Sequence, residues 1–287
     1  MPNGIIIIDK PQGWTSMDIC AKLRGIFHEK RVGHAGTLDP MATGILPIFL
    51  GRATRGVEFA AEGAKEYRAV LRLGQITDTQ DVTGTVLEER PVSVSREQLE
   101  EVLPRFRGDI EQIPPMYSAI KINGKKLYDL ARKGREVERK PRPVTIHELE
   151  LGCQLTDTDW ELRVVCSKGT YIRTLCHDIG QVLGCGGTMA ALRRTMACGY
   201  TEADAVTLEL VQQAEDPTAL LTPIDTLFAH LPALKLTGAQ AKCVRNGAAC
   251  TCQGEGECRA YGPEGKFLAV CRFEEGKLVT VKSFFEV

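Results

Sequence analysis

The chain has 287 residues, a formal net charge of −1 and a sequence pI near 6.5, with 43% hydrophobic and 25% charged residues. These values are ordinary for a globular protein with one large and one small domain, or with two modest domains. They exclude a strongly basic protein, so nucleic-acid binding has to come from a local patch. The early apolar run at residues 5–8 is too short for a membrane span or a signal peptide, and we expect a cytoplasmic protein.

The eleven cysteines are odd in number and irregularly spaced, which argues against a disulfide framework. Most of them lie among apolar residues, where buried free thiols are expected. A cluster near the C-terminus, Cys243, Cys250, Cys252 and Cys258, is a weak zinc candidate because it lacks a C-x₂-C pair and a nearby histidine. Reduced cysteines are the favoured interpretation.

The N-terminal part predicts a strand at residues 5–8 and then a helix that Thr15 or Ser16 caps. The apolar positions of this helix have helical spacing: Ile19, Leu23, Ile26 and Phe27. A loop follows at residues 33–47, and a strand is predicted at residues 45–50.

This loop reads GHAGTLDPMATGILP and contains a single acid, Asp39. Glycines and prolines set its bends, and apolar residues flank the acid on both sides. A surface loop does not need so much apolar flanking. A carboxylate held at the rim of a core can serve as a nucleophile, although a turn cap before Pro40 is the commoner role of a lone aspartate.

The middle of the chain predicts mixed helices and strands without a regular alternation. Helices are predicted near residues 56–61, 96–103 and 170–183; strands at 67–73, 117–122, 144–155 and 160–166; a polar turn with two acids at 77–84; and a turn at Asn123-Gly124. Residues 188–198 fit a strand or a helix equally well. This mixture predicts an α+β protein with a mixed sheet.

The chain changes character near residue 231. A short helix at residues 236–246, capped by Thr237, precedes three short strands at 257–261, 267–273 and 277–285. We predict a small β-rich appendage. The whole chain lacks a P-loop, a dinucleotide fingerprint, a zinc-protease motif and a G-x-S-x-G motif, so no cofactor is expected.

Residues 121–142 form a strongly basic segment. The segment contains nine basic residues and only three acidic ones. Tyr128 lies within it, and Tyr117 lies four residues before it. A basic arm with aromatic residues is suited to gripping a phosphate backbone and stacking bases. A solvated helix face is the alternative, and the segment alone does not choose between them.

Several motifs occur in a fixed order: Asp9-Lys10-Pro11, Gly13 with Thr15-Ser16, the loop around Asp39, Lys65-Glu66-Tyr67, SKGTYIRTL at residues 167–175, and Leu192-Arg193-Arg194. Together they resemble the bacterial TruB family, the tRNA pseudouridine-55 synthases. Thr37 stands where the related ribosomal-RNA synthases usually carry an arginine, which favours the TruB type. The resemblance implies a pseudouridine-synthase fold, with a mixed, largely antiparallel sheet flanked by helices and loops, and a small C-terminal PUA-like domain.

The resemblance also implies a reaction. Uridine 55 in the T-loop of tRNA is detached from its ribose at N1, turned and rejoined through C5, without a cofactor or a metal. Asp39 matches the catalytic aspartate, whose target is C6 of the base or C1′ of the ribose. Arg173 matches the arginine that pairs with this acid, and a guanidinium stabilises a desolvated carboxylate. Tyr67 matches the active-site tyrosine, with a ring for stacking and a hydroxyl near C5.

Other matched residues have supporting roles. Tyr171 and Leu192 match residues that line the uridine pocket. His34 matches the residue that fills the space left by the extruded base. Lys10 and Pro11 match a motif that supports the site. Taken without the family, Arg173 would be a surface residue, His34 a structural hydrogen bonder, and the other pocket residues core.

The resemblance implies a catalytic domain over residues 1–228, with an RNA-gripping insertion at about 114–143, hereafter the arm, and a PUA-like RNA-binding domain over 229–287. The expected RNA-backbone contacts of the arm are Lys121, Lys125, Lys126, Arg132 and Lys133. The expected partner is the T-arm of tRNA, and we expect a monomer without a membrane or an obligatory protein partner. The alternatives are a protein that remodels tRNA without chemistry and a synthase that acts on another RNA.

Overall fold

The computed structural model describes residues 2–122 and 124–285, without the side chains of Lys121 and Lys126. The predicted turn residue Asn123 therefore lies outside the described residues. The strands in chain order are β1 (Gly4–Lys10), β2 (Val32–His34), β3 (Thr43–Leu50), β4 (Lys65–Leu73), β5 (Gln75–Thr77), β6 (Val86–Glu89), β7 (Gly108–Gln112), β8 (Lys121–Ile122), β9 (Lys125–Lys126), β10 (Arg142–Gln154), β11 (Asp159–Cys166), β12 (Gly187–Ala197), β13 (Tyr200–Thr201), β14 (Ala233–Lys235), β15 (Cys250–Thr251), β16 (Glu257–Tyr261), β17 (Phe267–Glu274) and β18 (Lys277–Ser283).

The helices are short and separate the strands. They are α1 (Ser16–Phe27), α2 (Val57–Ala60), α3 (Arg96–Val102), α4 (Leu127–Ala131), α5 (Ile172–Val182), α6 (Leu208–Gln213) and α7 (Gly238–Arg245). Helical turns of the 3₁₀ type occur at Gly51–Gly56, Leu103–Phe106, Glu202–Asp204, Pro217–Leu220 and Ile224–Phe228.

A nine-stranded sheet organises the large domain. Seven strands follow the order β1-β3-β12-β4-β11-β10-β7, while β2 pairs with β3 and β13 pairs with β12. Every pairing is antiparallel except that of β3 with β12, which is parallel. The sheet is therefore mixed and largely antiparallel, as predicted.

The four consecutive isoleucines of β1 are explained by burial on both faces of the sheet. Ile6 and Ile8 belong to the main core, which includes α1 and α5, whereas Ile5 and Ile7 belong to a second core. A strand that is buried on both faces has a continuous apolar sequence rather than an alternating one. Because β1 pairs with β3, this buried strand supports the strand into which the loop containing Asp39 leads.

The C-terminal part forms its own five-stranded sheet in the order β14-β16-β17-β18-β15, with α7 packed on it. This β-rich unit agrees with the predicted appendage. The second core joins it to the large domain through an aromatic cluster of Phe59, Phe228, Phe267 and Phe284. Ring centroids in the cluster are 5.3 to 6.2 Å apart, within the range of favourable aromatic pairs.

The prediction of a strand at residues 117–122 was wrong, because only Lys121–Ile122 pair in a sheet. The carbonyl oxygens of Ser118 and Ile120 instead accept hydrogen bonds from the start of α4. Residues 188–198, which the sequence left open, form the central strand β12. The sequence did not predict strands β2, β5, β6, β7, β9, β13, β14 and β15.

Candidate active site

Asp39 lies in a loop whose backbone is fixed by hydrogen bonds on both sides of this residue. The Ser16 hydroxyl, at the start of α1, accepts from the Leu38 N–H at 2.9 Å and donates to the Leu38 carbonyl at 3.1 Å. The Gly13 N–H donates to the Pro40 carbonyl at 2.7 Å. Because both neighbours of Asp39 are fixed, the carboxylate is presented from a rigid turn rather than from a mobile loop.

Arg173 pairs directly with this carboxylate. Its Nε lies 3.0 Å from Asp39 Oδ2, while its two terminal nitrogens donate to the carbonyls of Thr79 at 3.1 Å and Tyr117 at 2.8 Å. A second carboxylate, that of Asp81, lies with its Oδ2 3.7 Å from Arg173 Nη1. The Arg173 side chain is 6% exposed and that of Asp39 is 38% exposed. The guanidinium therefore lies behind the carboxylate, which remains open to a substrate.

The pair opens into a cavity of about 620 Å³. The predicted pocket residues that line it, besides Asp39 and Arg173, are Tyr67, Tyr171 and Leu192. Tyr67 comes from β4 and Leu192 from β12, and these two strands pair with each other. Tyr171 is the residue that precedes α5, which packs against β12. The structure thus brings together five predicted residues that are up to 153 positions apart in sequence (39 to 192).

Burial sets the electrostatics of the cavity wall. Tyr67 is 7% exposed, and burial raises its pKa, an effect that the nearby Arg194 guanidinium opposes. The phenol is therefore neutral near pH 7. Burial also lowers the pKa of Lys10 to about 8, while the negative charge of Asp39 acts in the opposite direction.

Lys10, Pro11 and His34 do not line the cavity. The Lys10 ammonium lies beneath the loop, where it donates to the carbonyls of Trp14 at 2.7 Å, Pro11 at 3.0 Å and Pro40 at 3.5 Å. His34 ends β2, and burial, with a smaller effect of the Arg194 guanidinium, lowers its pKa. Its ring is therefore neutral near pH 7, and its space-filling role stays a prediction.

The arm contributes to the cavity as well as to the surface. Tyr117 and Tyr128 line the cavity, and the Arg132 guanidinium lies 5.5 Å from the centre of the Tyr128 ring. Lys125, Arg132 and Lys133 are exposed. The side chains of Lys121 and Lys126 lie outside the described part of the chain, so their predicted roles are not tested.

Sequence reasoning missed four residues that hold the site: Ser16 as a loop support, Asp81, Gln112 and Arg194. Arg194 is fully buried and donates to the carbonyls of Ile45 at 2.7 Å and Gly36 at 3.1 Å, so it ties β12 to both ends of the loop. It belongs to a quoted motif, and its sequence position therefore carried a signal. The glutamine has no such signal, because its partner is 59 residues away.

All eleven cysteines are among the described residues and have free thiols. In residues 2–122 and 124–285, no group of three His, Cys, Asp or Glu side chains is arranged to hold a metal ion. Across the same residues, no helix combines the length and the apolar character needed to cross a membrane.

The fold and the sequence are both similar to those of known proteins. The crystal structure of a Cbf5-Nop10-Gar1 complex aligns with a TM-score of 0.74 and 25% identity, over 98% of this chain and 85% of the matched chain. Residues 24–172 match the N-terminal domain of the TruB family pseudouridylate synthases, and residues 173–229 match the tRNA pseudouridylate synthase B C-terminal domain. The chain belongs to the TruB family of pseudouridylate synthases.

Two sequence relatives extend this comparison. The tRNA pseudouridine synthase B of Azoarcus sp. (strain BH72) is 46% identical over 282 residues, covering 96% of this chain and 93% of that protein. The enzyme of the same name from Escherichia coli (strain K12) is 45% identical over 289 residues, covering 95% and 92%. The similarity therefore spans nearly the whole of both chains.

Proposed function

We propose that this protein isomerises uridine 55 in the T-loop of tRNA to pseudouridine, with Asp39 as the nucleophile. The observation that carries the proposal is the 3.0 Å contact between Asp39 and Arg173 at the wall of an open cavity. Arg173 holds the Asp39 carboxylate in place at the cavity wall, and a carboxylate in this position can attack a substrate as a nucleophile. Full-length similarity to tRNA pseudouridine synthase B supports the choice of substrate.

The chemistry balances without a cofactor. Asp39 attacks the nucleoside and the N1–C1′ bond breaks. The base turns, a C5–C1′ bond forms, and the bond to Asp39 breaks, which regenerates the carboxylate. The proton on C5 leaves to solvent or a nearby base while N1 gains a proton, so the product is an isomer of uridine. The buried ring of Tyr67 offers a stacking surface for the uracil while it turns. Its neutral hydroxyl is the group of the cavity wall that we assign to the C5 side of the base.

The substrate reaches the carboxylate only after its base has left the T-loop stack. Extrusion of a base costs a few kcal/mol and is least costly in a loop. The cavity of about 620 Å³ has room for a nucleoside, and Tyr171 and Leu192 are among the residues that line it. His34, beside the loop, fills the space that the base vacates in the RNA.

We assign the catalytic unit to residues 1–228 and RNA binding to the arm and to residues 229–287. Exposed Lys125, Arg132 and Lys133 bind phosphates, and Tyr128 brings an aromatic ring from the arm to the cavity. The net charge of −1 confines this attraction to one face of the protein. The protein acts on tRNA as a monomer in the cytoplasm.

The test is Asp39→Asn, assayed by release of tritium from C5 of uridine in a T-loop hairpin. We expect the rate to fall to about one thousandth or less, since removal of a nucleophile abolishes its covalent step. RNA affinity, measured by fluorescence anisotropy, should stay within about threefold. Asp78→Asn is the matched control, because Asp78 is not among the residues that line the cavity.

Three outcomes separate the alternatives. Full turnover by the asparagine variant contradicts the nucleophile assignment. A native protein that binds the hairpin without modifying it points to a remodelling role. A native protein that modifies uridine only in a different RNA points to a synthase with another substrate.

A further inference from the structure

Two buried side chains hold the backbone beside the Asp39–Arg173 pair in the same way. The Ser16 hydroxyl bonds both the N–H and the carbonyl of Leu38, at 2.9 and 3.1 Å. The Gln112 carboxamide bonds both the N–H and the carbonyl of Tyr171, at 2.9 and 3.2 Å. Each side chain therefore takes the place of a neighbouring strand for one residue.

These contacts require a group that donates and accepts at once. A hydroxyl and a carboxamide both meet this requirement, whereas apolar and singly charged side chains do not. Ser16 is 2% exposed and Gln112 is 1% exposed, so water does not compete for either set of bonds. Removal of either side chain leaves one buried peptide donor and one acceptor without these partners.

The two residues whose backbones are held in this way lie close in sequence to Asp39 and Arg173. Leu38 immediately precedes Asp39, and Tyr171 is the extended residue that precedes α5, two positions before Arg173. Each support comes from a rigid element. Ser16 begins α1, which has a complete capping box, and Gln112 ends β7, where it is the partner of Arg142 in β10.

We infer that Ser16 and Gln112 are positioning residues for the reaction, one for each half of the Asp39–Arg173 pair. They act through Leu38 and Tyr171 and keep the carboxylate and the guanidinium at the separation of 3.0 Å. This inference rests on the proposed function, since it concerns the same nucleophile. It follows that loss of either side chain lowers the rate at which bound substrate reacts and leaves the affinity for the substrate unchanged.

The experiment compares two apolar variants, each with a neighbouring control. Ser16→Ala removes the hydroxyl from the first residue of α1. Its control Thr15→Ala removes the N-cap hydroxyl, which bonds Asp18 but not the catalytic loop. Gln112→Met keeps the length of the side chain without its polar groups. Its control Glu111→Met changes the exposed neighbour on the same strand.

We expect kcat, per folded molecule, to fall about 10- to 100-fold in both variants, because displacements near 1 Å have effects of that size. KM and hairpin affinity should stay within about threefold, since neither side chain touches the RNA in this proposal. The controls should keep the wild-type kcat even where their unfolding midpoint drops. Ser16→Thr, which retains the hydroxyl, should recover kcat to within about fivefold.

The inference is overturned if the apolar variants keep kcat within twofold of the wild type, or if each lowers kcat only as much as its control. If the alanine variant does not fold, the methionine and threonine variants still give the decisive comparison. A wild-type protein that produces no pseudouridine would refute the proposed function instead, so the two failures are distinguishable.

Discussion

Gly44 offers a direct test of how tightly the catalytic loop is joined to the sheet. Its φ is +98°, and a Cβ added there would lie 2.2 Å from the carbonyl oxygen of Arg194 and 2.9 Å from its nitrogen. A left-handed conformation costs an L-residue about 1–2 kcal/mol, and overpacking typically adds about 1–3 kcal/mol. Gly44→Ala should therefore lower the free energy of unfolding by about 2–5 kcal/mol.

Gly199→Ala separates the two contributions. Gly199 has a φ of +80°, and a Cβ there would meet nothing within 4 Å, so only the conformational cost of about 1–2 kcal/mol applies. Urea unfolding of both variants measures the difference, which is the cost of the contact between β3 and β12. Because Arg194 also holds the loop carbonyl of Gly36, we expect the Gly44 variant alone to lose about tenfold in kcat. Equal destabilisation by the two variants would refute this account of the contact.

Three further variants test charges around the site. Arg173→Lys retains a positive charge but not the planar set of donors, so we expect kcat to fall about 10²-fold at unchanged RNA affinity; near-normal kcat would show that charge alone suffices. Alanine at Lys125, Arg132 and Lys133 together should weaken hairpin binding and flatten its dependence on salt, by about 0.7–0.9 in the logarithmic slope per lost phosphate contact. The variant with Lys and Arg exchanged at these positions is the control, and an unchanged slope would contradict RNA binding by the arm. The folded-state pKa of Lys10, near 8, lies below its unfolded value of 10.5, so the unfolded chain binds more protons between these values. The free energy of unfolding of the wild type, relative to that of Lys10→Met, should therefore rise by about 3 kcal/mol from pH 8 to pH 10.5. If urea unfolding gives the same difference between the two proteins at both pH values, the pKa of Lys10 is not lowered in the folded state.

The elements with strong local patterns were predictable from the sequence. Thr15 satisfies the exposed N–H groups at the start of α1 and forms a capping box with Asp18, as the polar residues before the apolar period indicate. The hairpin of β10 and β11 follows equally from alternation. The strand predicted at residues 117–122 does not form, because the Tyr117 carbonyl accepts a hydrogen bond from Arg173 and the carbonyls of Ser118 and Ile120 accept from the first two residues of α4. Local propensity was overridden there by tertiary hydrogen bonds.

The polar side chains that hold the site are encoded in the sequence in a different way from the helices and strands. A helix or strand is encoded by periodic apolar burial, which many residues share, so the pattern survives in the sequence. Gln112 is specified by one peptide unit 59 residues away, and no local pattern encodes such a pairing. Ser16 appeared in the sequence as a possible helix cap and as part of a quoted motif, yet the structure gives the capping role to Thr15 and directs the Ser16 hydroxyl to Leu38. Buried polar side chains that satisfy a distant backbone are therefore where a structure adds most to a family resemblance. A motif can include such a side chain, as it does Ser16 and Arg194, but it does not show which peptide unit the side chain holds, and Gln112 lies in no quoted motif.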